Sequence, residues 1–174
     1  MSSPRSTVRA KTPRESAMET RYLLMPHQAN DLGIAFGGTI MSWIDTLAAM
    51  VAQKHCEHKV VTASTDQISF LAPIHIGDHV VLKACINYVG TTSMEIGVQV
   101  TRENPYTGAT VRTTTAYLTF VGVGEDERPT PVPPLNPETP NELRRFENAR
   151  LRVQARRALI HQIESIKPRD RARP

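Results

Sequence analysis

Asp45 is the only ionisable residue between Leu32 and Gln53, in a stretch whose other members are small, apolar or hydroxylated. Burying a charge without a partner costs several kcal/mol against a net domain stability of about 5–15 kcal/mol, so a carboxylate in such a segment has a use. Taken alone, the aspartate also fits a structural role, capping a turn or facing water from an amphipathic helix. Its neighbours favour chemistry. Gly37 and Gly38 follow Phe36 where a loop turns into a helix, and Ile40, Trp43, Ile44, Leu47 and Val51 recur at spacings of three and four. The helix N-terminus would present free backbone N–H groups beside two residues with no side chain, a setting for a developing oxyanion. A carboxylate two turns further along could face the same cavity.

The element carrying these residues must be enclosed by protein. Ala48, Ala49, Met50 and Ala52 extend its apolar surface beyond one stripe. Downstream the pattern changes to strands over residues 60–70, 80–88, 92–102 and 110–121, each rich in β-branched residues. In the third, Met94, Ile96, Val98 and Val100 alternate against Glu95, Gly97, Gln99 and Thr101. An earlier strand is expected over residues 18–24. Turn signals stand at Ile76-Gly77-Asp78 and at Asn104-Pro105-Tyr106-Thr107-Gly108. The order predicts an α+β fold: a strand, a long buried helix, then four strands in a meander, the antiparallel sheet curling round the helix.

With 174 residues and a hydrophobic fraction of 40%, one domain is expected. The predicted organisation is a flexible leader over residues 1–16, the folded domain over 17–124, a Pro-rich extended linker over 125–140, and a basic C-terminal helix and tail over 141–174. Asn141 is the expected cap of that helix, and Leu143, Phe146, Val153, Ile160 and Ile163 form its sparse apolar stripe. Two cysteines, Cys56 and Cys85, are too few for a disulfide framework, and no apolar run is long enough for a membrane span. A cytoplasmic protein is expected. The net charge of +4 comes from arginines and lysines at the two ends, so nucleic-acid binding is not expected of the central domain. The basic helix reads first as a solvated helix docked at a subunit edge, and otherwise as a partner for ligand phosphates.

No Gly-x-Ser-x-Gly elbow, phosphate-binding loop or dinucleotide fingerprint is present. His55, Cys56 and His58 lack a second ligand cluster, so no metal is expected, and no cofactor. His75 and His79 flank a turn at the surface.

The run Met25-Pro26-His27-Gln28-Ala29-Asn30-Asp31-Leu32-Gly33-Ile34-Ala35-Phe36-Gly37-Gly38, continuing to Trp43-Ile44-Asp45, resembles the signature of the hotdog-fold acyl-CoA thioesterases of the brain acyl-CoA hydrolase and YciA group. Val61-Thr62-Ala63-Ser64, Phe70-Leu71-Ala72-Pro73-Ile74, Ile76-Gly77-Asp78 and Tyr88-Val89-Gly90-Thr91-Thr92-Ser93-Met94 match in the same order, so the resemblance covers about residues 18–135.

It implies a hotdog fold and hydrolysis of fatty acyl-CoA to free acid and CoA. By the same resemblance Asn30 and Asp45 are the catalytic pair, supplied by different subunits of a homodimer, and dimers associate in threes. Asp45 would deprotonate water or attack the thioester itself, Asn30 would orient water or the carbonyl, and the N–H of Gly37 or Gly38 would polarise that carbonyl. Gly90, Thr91, Thr92 and Ser93 would line the CoA path. Relatives often carry Arg where this chain has Thr91, so phosphate recognition falls to other basic residues, with the C-terminal helix a candidate. Two other readings stand beside this one: a non-catalytic acyl-CoA-binding or regulatory protein, which needs no Asp45, and a hydratase or dehydratase, for which His27 is the only nearby histidine.

Overall fold

The computed structural model describes residues 9–166; the first eight residues of the expected leader and the tail beyond residue 166 lie outside the described residues. The chain runs α1 (Pro13–Ser16), β1 (Met18–Leu23), α2 (Gly37–Cys56), β2 (Lys59–Phe70), β3 (His79–Val89), β4 (Ser93–Glu103), β5 (Thr110–Val123) and α3 (Pro140–Ile166). The five strands form one antiparallel sheet in the order β1-β3-β4-β5-β2. This corrects the expected four-strand meander: only β3, β4 and β5 form one, while β2 crosses to the far edge and pairs with β5. The connection over residues 71–78 makes the crossing, tied to β5 through Leu71 N–H to Thr113 O and to the end of β1 through Leu24 N–H to Asp78 O.

That topology follows from α2. Ile40, Ile44, Leu47, Ala48, Val51 and Ala52 are all buried, which leaves apolar surface on most of the circumference. One strand before the helix and one after it, placed at opposite edges of a central meander, let the sheet curl round it, and α2 touches all five strands. The inner-face residues Leu82, Ala84, Ile86, Met94, Ile96, Val98, Ala116, Leu118 and Phe120 complete the core. Tyr22 of β1 stacks on Trp43 of α2 with ring centroids 4.2 Å apart, closing one side.

Helix α3 lies on the opposite face of the sheet. Its cap is Thr139 rather than Asn141: Thr139 Oγ1 accepts from Glu142 N–H, and Glu142 Oε2 accepts from Thr139 N–H, a reciprocal pair that satisfies two otherwise free donors. Ala149 and Val153 are buried, and Phe146 packs on Tyr88. Glu95, which the strand alternation assigns to the solvent face, is only 2% exposed because α3 covers it. Arg152 Nη2 donates to Glu95 Oε1 at 2.6 Å while its guanidinium lies 3.7 Å over the Tyr117 ring, and Arg156 pairs with Asp66.

Residues 9–16 and 125–140, expected as a flexible leader and an open linker, pack against the end of the sheet and against each other. Lys11 N–H donates to Pro134 O, Asn136 N–H to Lys11 O, and Val132 N–H to Thr91 O. Lys11 Nζ donates to His55 O at 2.8 Å, placing a cation on the last carbonyls of α2. The adjoining His55 is buried, with Ser16 Oγ 3.0 Å from Nδ1 and Pro133 O accepting from Nε2 at 2.9 Å. Its ring is therefore a structural clasp between both packed segments, and among the described residues no cluster that could hold a metal occurs.

Two outcomes follow from these contacts. Burial pushes the His55 imidazole below its ordinary 6.5, with the Pro133 carbonyl opposing and nearby Lys11 adding to the depression. The folded chain then binds fewer protons than the unfolded chain below about pH 6.5, so this clasp's stability is complete above that pH and declines as pH falls toward the depressed value. Urea unfolding midpoints should drop between about pH 7.5 and 5.5, and His55→Gln should flatten that slope. In the second, Arg152→Met strands the Glu95 carboxylate and should cost about 3–5 kcal/mol in the same assay. The double variant Glu95→Gln/Arg152→Met should recover most of this loss.

Candidate active site

Asn30 is fixed by a loop that its own side chain organises. Its Oδ1 accepts from Leu32 N–H at 3.0 Å and Ile34 N–H at 3.3 Å, and Gly33, at φ 71°, donates its N–H to Asn30 O. A residue with a Cβ resists that left-handed backbone, which accounts for the glycine. The loop is tied to the start of α2 by Phe36 N–H to Gln28 O and to the crossing connection by Ala35 N–H to Ile74 O. With Oδ1 occupied, the Asn30 amide nitrogen has no acceptor among the described residues and is the group left to donate.

At the start of α2, Phe36 occupies the cap position with no side-chain acceptor, and no acidic residue stands in the first turn. The N–H groups of Gly37 and Gly38 belong to the first turn and have no intrahelical partner. Gly37 opens onto a mostly apolar pocket of about 410 Å³, lined with it by Ile34, Ile40, Phe70, Leu71 and Pro73. A Cβ at Gly38 would collide with the Phe36 ring, whereas one at Gly37 would meet only Phe70 at ordinary contact distance.

Asp45 lies eight residues along α2, about 12 Å of helical rise from Gly37. It is half-buried in the single chain rather than fully enclosed. Thr62 Oγ1, on β2, donates to Asp45 Oδ1 at 2.9 Å, and no cation pairs with this carboxylate among the described residues. Asp45 Oδ2 has no partner among the described residues. Thr62 is the residue that sequence reasoning missed as a site member. It stands within Val61-Thr62-Ala63-Ser64, but a threonine on a strand carries no signal until its pairing opposite the core-facing Phe120 puts it on the side of α2. Within one chain no hydrogen bond joins Asn30 to Asp45.

Gly90, Thr91, Thr92 and Ser93 form a pinned turn. Gly90 N–H donates to Ser93 O, while the Thr91 and Thr92 carbonyls accept from Val132 and Gly122 N–H. This turn is distant from the Gly37 pocket. Ser93 pairs opposite Val121 and Phe70 opposite Thr114, seven residues apart on β5, or about 23 Å. The structure therefore joins Asn30, Gly37 and Gly38 at one end of the sheet, and leaves Asp45 with Thr62 and the 90–93 turn toward the other. The basic helix is no free phosphate clamp over its middle, since Arg152 and Arg156 are already neutralised by Glu95 and Asp66 on the face away from Asp45.

Comparison with known proteins shows the family and the fold. Residues 32–109 match the thioesterase superfamily. A Bacillus subtilis protein named as an uncharacterized acyl-CoA thioester hydrolase, YkhA, is 38% identical over 144 residues, covering 83% of this chain and 84% of that one. An apo-hexameric acyl-CoA thioesterase superposes with a TM-score of 0.85 at 36% identity, covering 88% of this chain and 98% of the other. A Staphylococcus aureus acyl-CoA hydrolase, solved with butyryl-CoA, CoA and CoA disulfide, superposes at 0.83 with 37% identity, covering 90% and 94%. That enzyme has also been solved with an asparagine, an aspartate or a threonine replaced by alanine.

Proposed function

The chain belongs to the thioesterase superfamily, among its acyl-CoA thioester hydrolases, and on that premise we propose that it cleaves acyl-CoA to a free acid and CoA at a site shared by two copies of the chain. The observation that carries the reading is the Thr62 hydroxyl on Asp45 Oδ1. A threonine fixes the carboxylate without neutralising it, and Oδ2 remains to take a proton from water or to attack the carbonyl; either route runs through the same atom. The Gly37 and Gly38 N–H groups stabilise the oxyanion, the free Asn30 amide donates to the thioester carbonyl, and the apolar pocket beside Gly37 receives the acyl chain.

The separation of these groups along the sheet supports sharing. Strand β2 is an edge of twelve residues with exposed Val61 and Phe70. Antiparallel pairing of two such edges puts Thr62 and Asp45, near the start of β2, level with the Phe70 end of a second copy, where its own Asn30, Gly37 and Gly38 stand. Gly90, Thr91, Thr92 and Ser93 belong to the same end as Lys59 and flank the CoA moiety from the chain that supplies Asp45. Three such dimers form the proposed assembly, in keeping with the hexameric relative. The proposed compartment is the cytoplasm, in keeping with two free cysteines. A hydratase is disfavoured because His27 is exposed and has no carboxylate partner among the described residues.

In a thiol-release assay with acyl-CoA, Asp45→Asn should lower turnover by about two to four orders of magnitude while leaving the fold intact. Thr62→Val should lower it by about tenfold to a hundredfold, the scale of losing a hydrogen bond to a charged group. Turnover by Asp45→Asn near the native level removes Asp45 from the mechanism. Mixing Asn30→Ala with Asp45→Ala tests the sharing. After subunit exchange about half the dimers are mixed and each holds one intact site, so roughly a quarter of native activity should return. Activity that stays at the level of the separate variants, with exchange confirmed by mass spectrometry, overturns the shared site.

A further inference from the structure

Among the described residues, the buried hydroxyls have hydrogen-bond partners with one exception. Ser16 Oγ meets His55 Nδ1 at 3.0 Å, Thr113 Oγ1 donates to Val100 O at 3.3 Å, and Thr119 Oγ1 accepts from Arg156 at 2.9 Å. Thr114, 0% exposed, has no partner for its Oγ1 among the described residues. A hydroxyl taken out of water and left unpaired destabilises the fold, and valine offers nearly the same shape without that cost. Packing alone would therefore take the valine.

Thr114 stands in the wall of the pocket beside Gly37. It lies two residues before the core residue Ala116 on β5, so it shares the inner face of the sheet, with Phe70 of β2 and Val100 of β4 as its pairing partners. The other side chains that line the pocket, among them Ile34, Ile40, Leu71 and Ile74, are hydrocarbon, so Thr114 Oγ1 is the only polar side-chain atom among its lining residues. Water is a poor occupant there. An ordered water needs about two to four polar partners, and these side chains supply one. Phe70 relates the hydroxyl to the proposed chemistry: it pairs opposite Thr114, and its ring would stand 3.7 Å from a Cβ placed on Gly37. One phenylalanine reaches both residues, which puts the hydroxyl beside the thioester end of an acyl chain rather than at its far tip.

We infer that Thr114 is a specificity residue and that the substrate is an acyl-CoA whose acyl group carries a hydroxyl or keto oxygen within its first few carbons. The inference rests on the proposed hydrolysis of acyl-CoA with the acyl chain in this pocket. The Thr114 hydroxyl donates to either kind of oxygen and also accepts from a hydroxyl. A saturated chain fills the pocket and leaves Oγ1 as unpaired as in the free domain, whereas an oxygenated chain pairs it on binding. Discrimination comes from that difference, because a buried polar group without its partner disfavours the analogue that lacks the oxygen. An acyl chain bearing a second carboxylate is disfavoured by the same walls, since no cationic side chain lines them.

Thiol release from butyryl-CoA, 3-hydroxybutyryl-CoA and acetoacetyl-CoA, esters of equal chain length, tests the assignment. The native chain should favour at least one oxygenated ester over butyryl-CoA by about tenfold in kcat/KM, the scale of one hydrogen bond in a water-free pocket. Thr114→Ser, which keeps the hydroxyl, should retain that preference, and Thr114→Val should abolish it. Urea unfolding supplies a readout independent of turnover: Thr114→Val should unfold at the native midpoint or above it, because the variant removes an unpaired hydroxyl. A native kcat/KM for butyryl-CoA that equals or exceeds those of both oxygenated esters overturns the inference and leaves acyl-CoA hydrolysis standing. A preference that survives Thr114→Val overturns the role of Thr114. A lowered unfolding midpoint for that variant also overturns it, since the hydroxyl is then partnered in the free protein. A native chain that releases no thiol from these esters or from palmitoyl-CoA overturns the proposed function as well.

Discussion

The burial of α2 is the constraint on which the rest of this structure depends. A twenty-residue helix with apolar side chains on most of its circumference cannot lie on a flat sheet without leaving one side wet. Placing β1 and β2 at opposite edges lets the sheet wrap it. The same wrapping positions the chemistry. It sets the N-terminus of α2 against Phe70 and the crossing connection, and it sets Asp45 against Thr62.

The two faces of the sheet treat carboxylates differently. On the outer face Glu95 and Asp66 meet guanidinium groups, which fix them in place and neutralise them. On the inner face Asp45 meets a hydroxyl. An arginine there would hold the carboxylate just as firmly but would weaken it as a base, whereas a threonine orients it and leaves its charge available. Helix α3 gathers these ion pairs and keeps them a full sheet thickness away from Asp45.

Most of the fold was legible because it is written in local periodicity. The helix over Gly37–Cys56 and the five strands stand where spacing and β-branched content put them. Strand order was not legible, because which edge accepts β2 depends on covering α2 from both sides and not on anything within β2. Glu95 read as a solvent-facing residue for a related reason: alternation tells the two faces of a strand apart but does not reveal that a helix beyond a Pro-rich path of chain, whose Arg152 stands 57 positions after Glu95, folds back over one of them. The cap of α3 likewise moved from Asn141 to Thr139 once the reciprocal partner, Glu142, fixed the first turn.

For the site, residue type and isolation in the sequence marked Asp45, Gly37 and Gly38, since a lone carboxylate and paired glycines in an apolar run are local facts about solvation and backbone access. Asn30 and the 90–93 turn were reached through resemblance. Tertiary structure decided what those residues can do. Thr62 became a partner of Asp45 through its pairing opposite the core-facing Phe120, the Asn30 side-chain carbonyl was occupied by its own loop, and Asp45 was set about 12 Å of helical rise from Gly37. Sequence determines which side chains carry reactive chemistry because that is a property of each residue. Distance and hydrogen-bond partners belong to the folded surface, and no single stretch of sequence contains them.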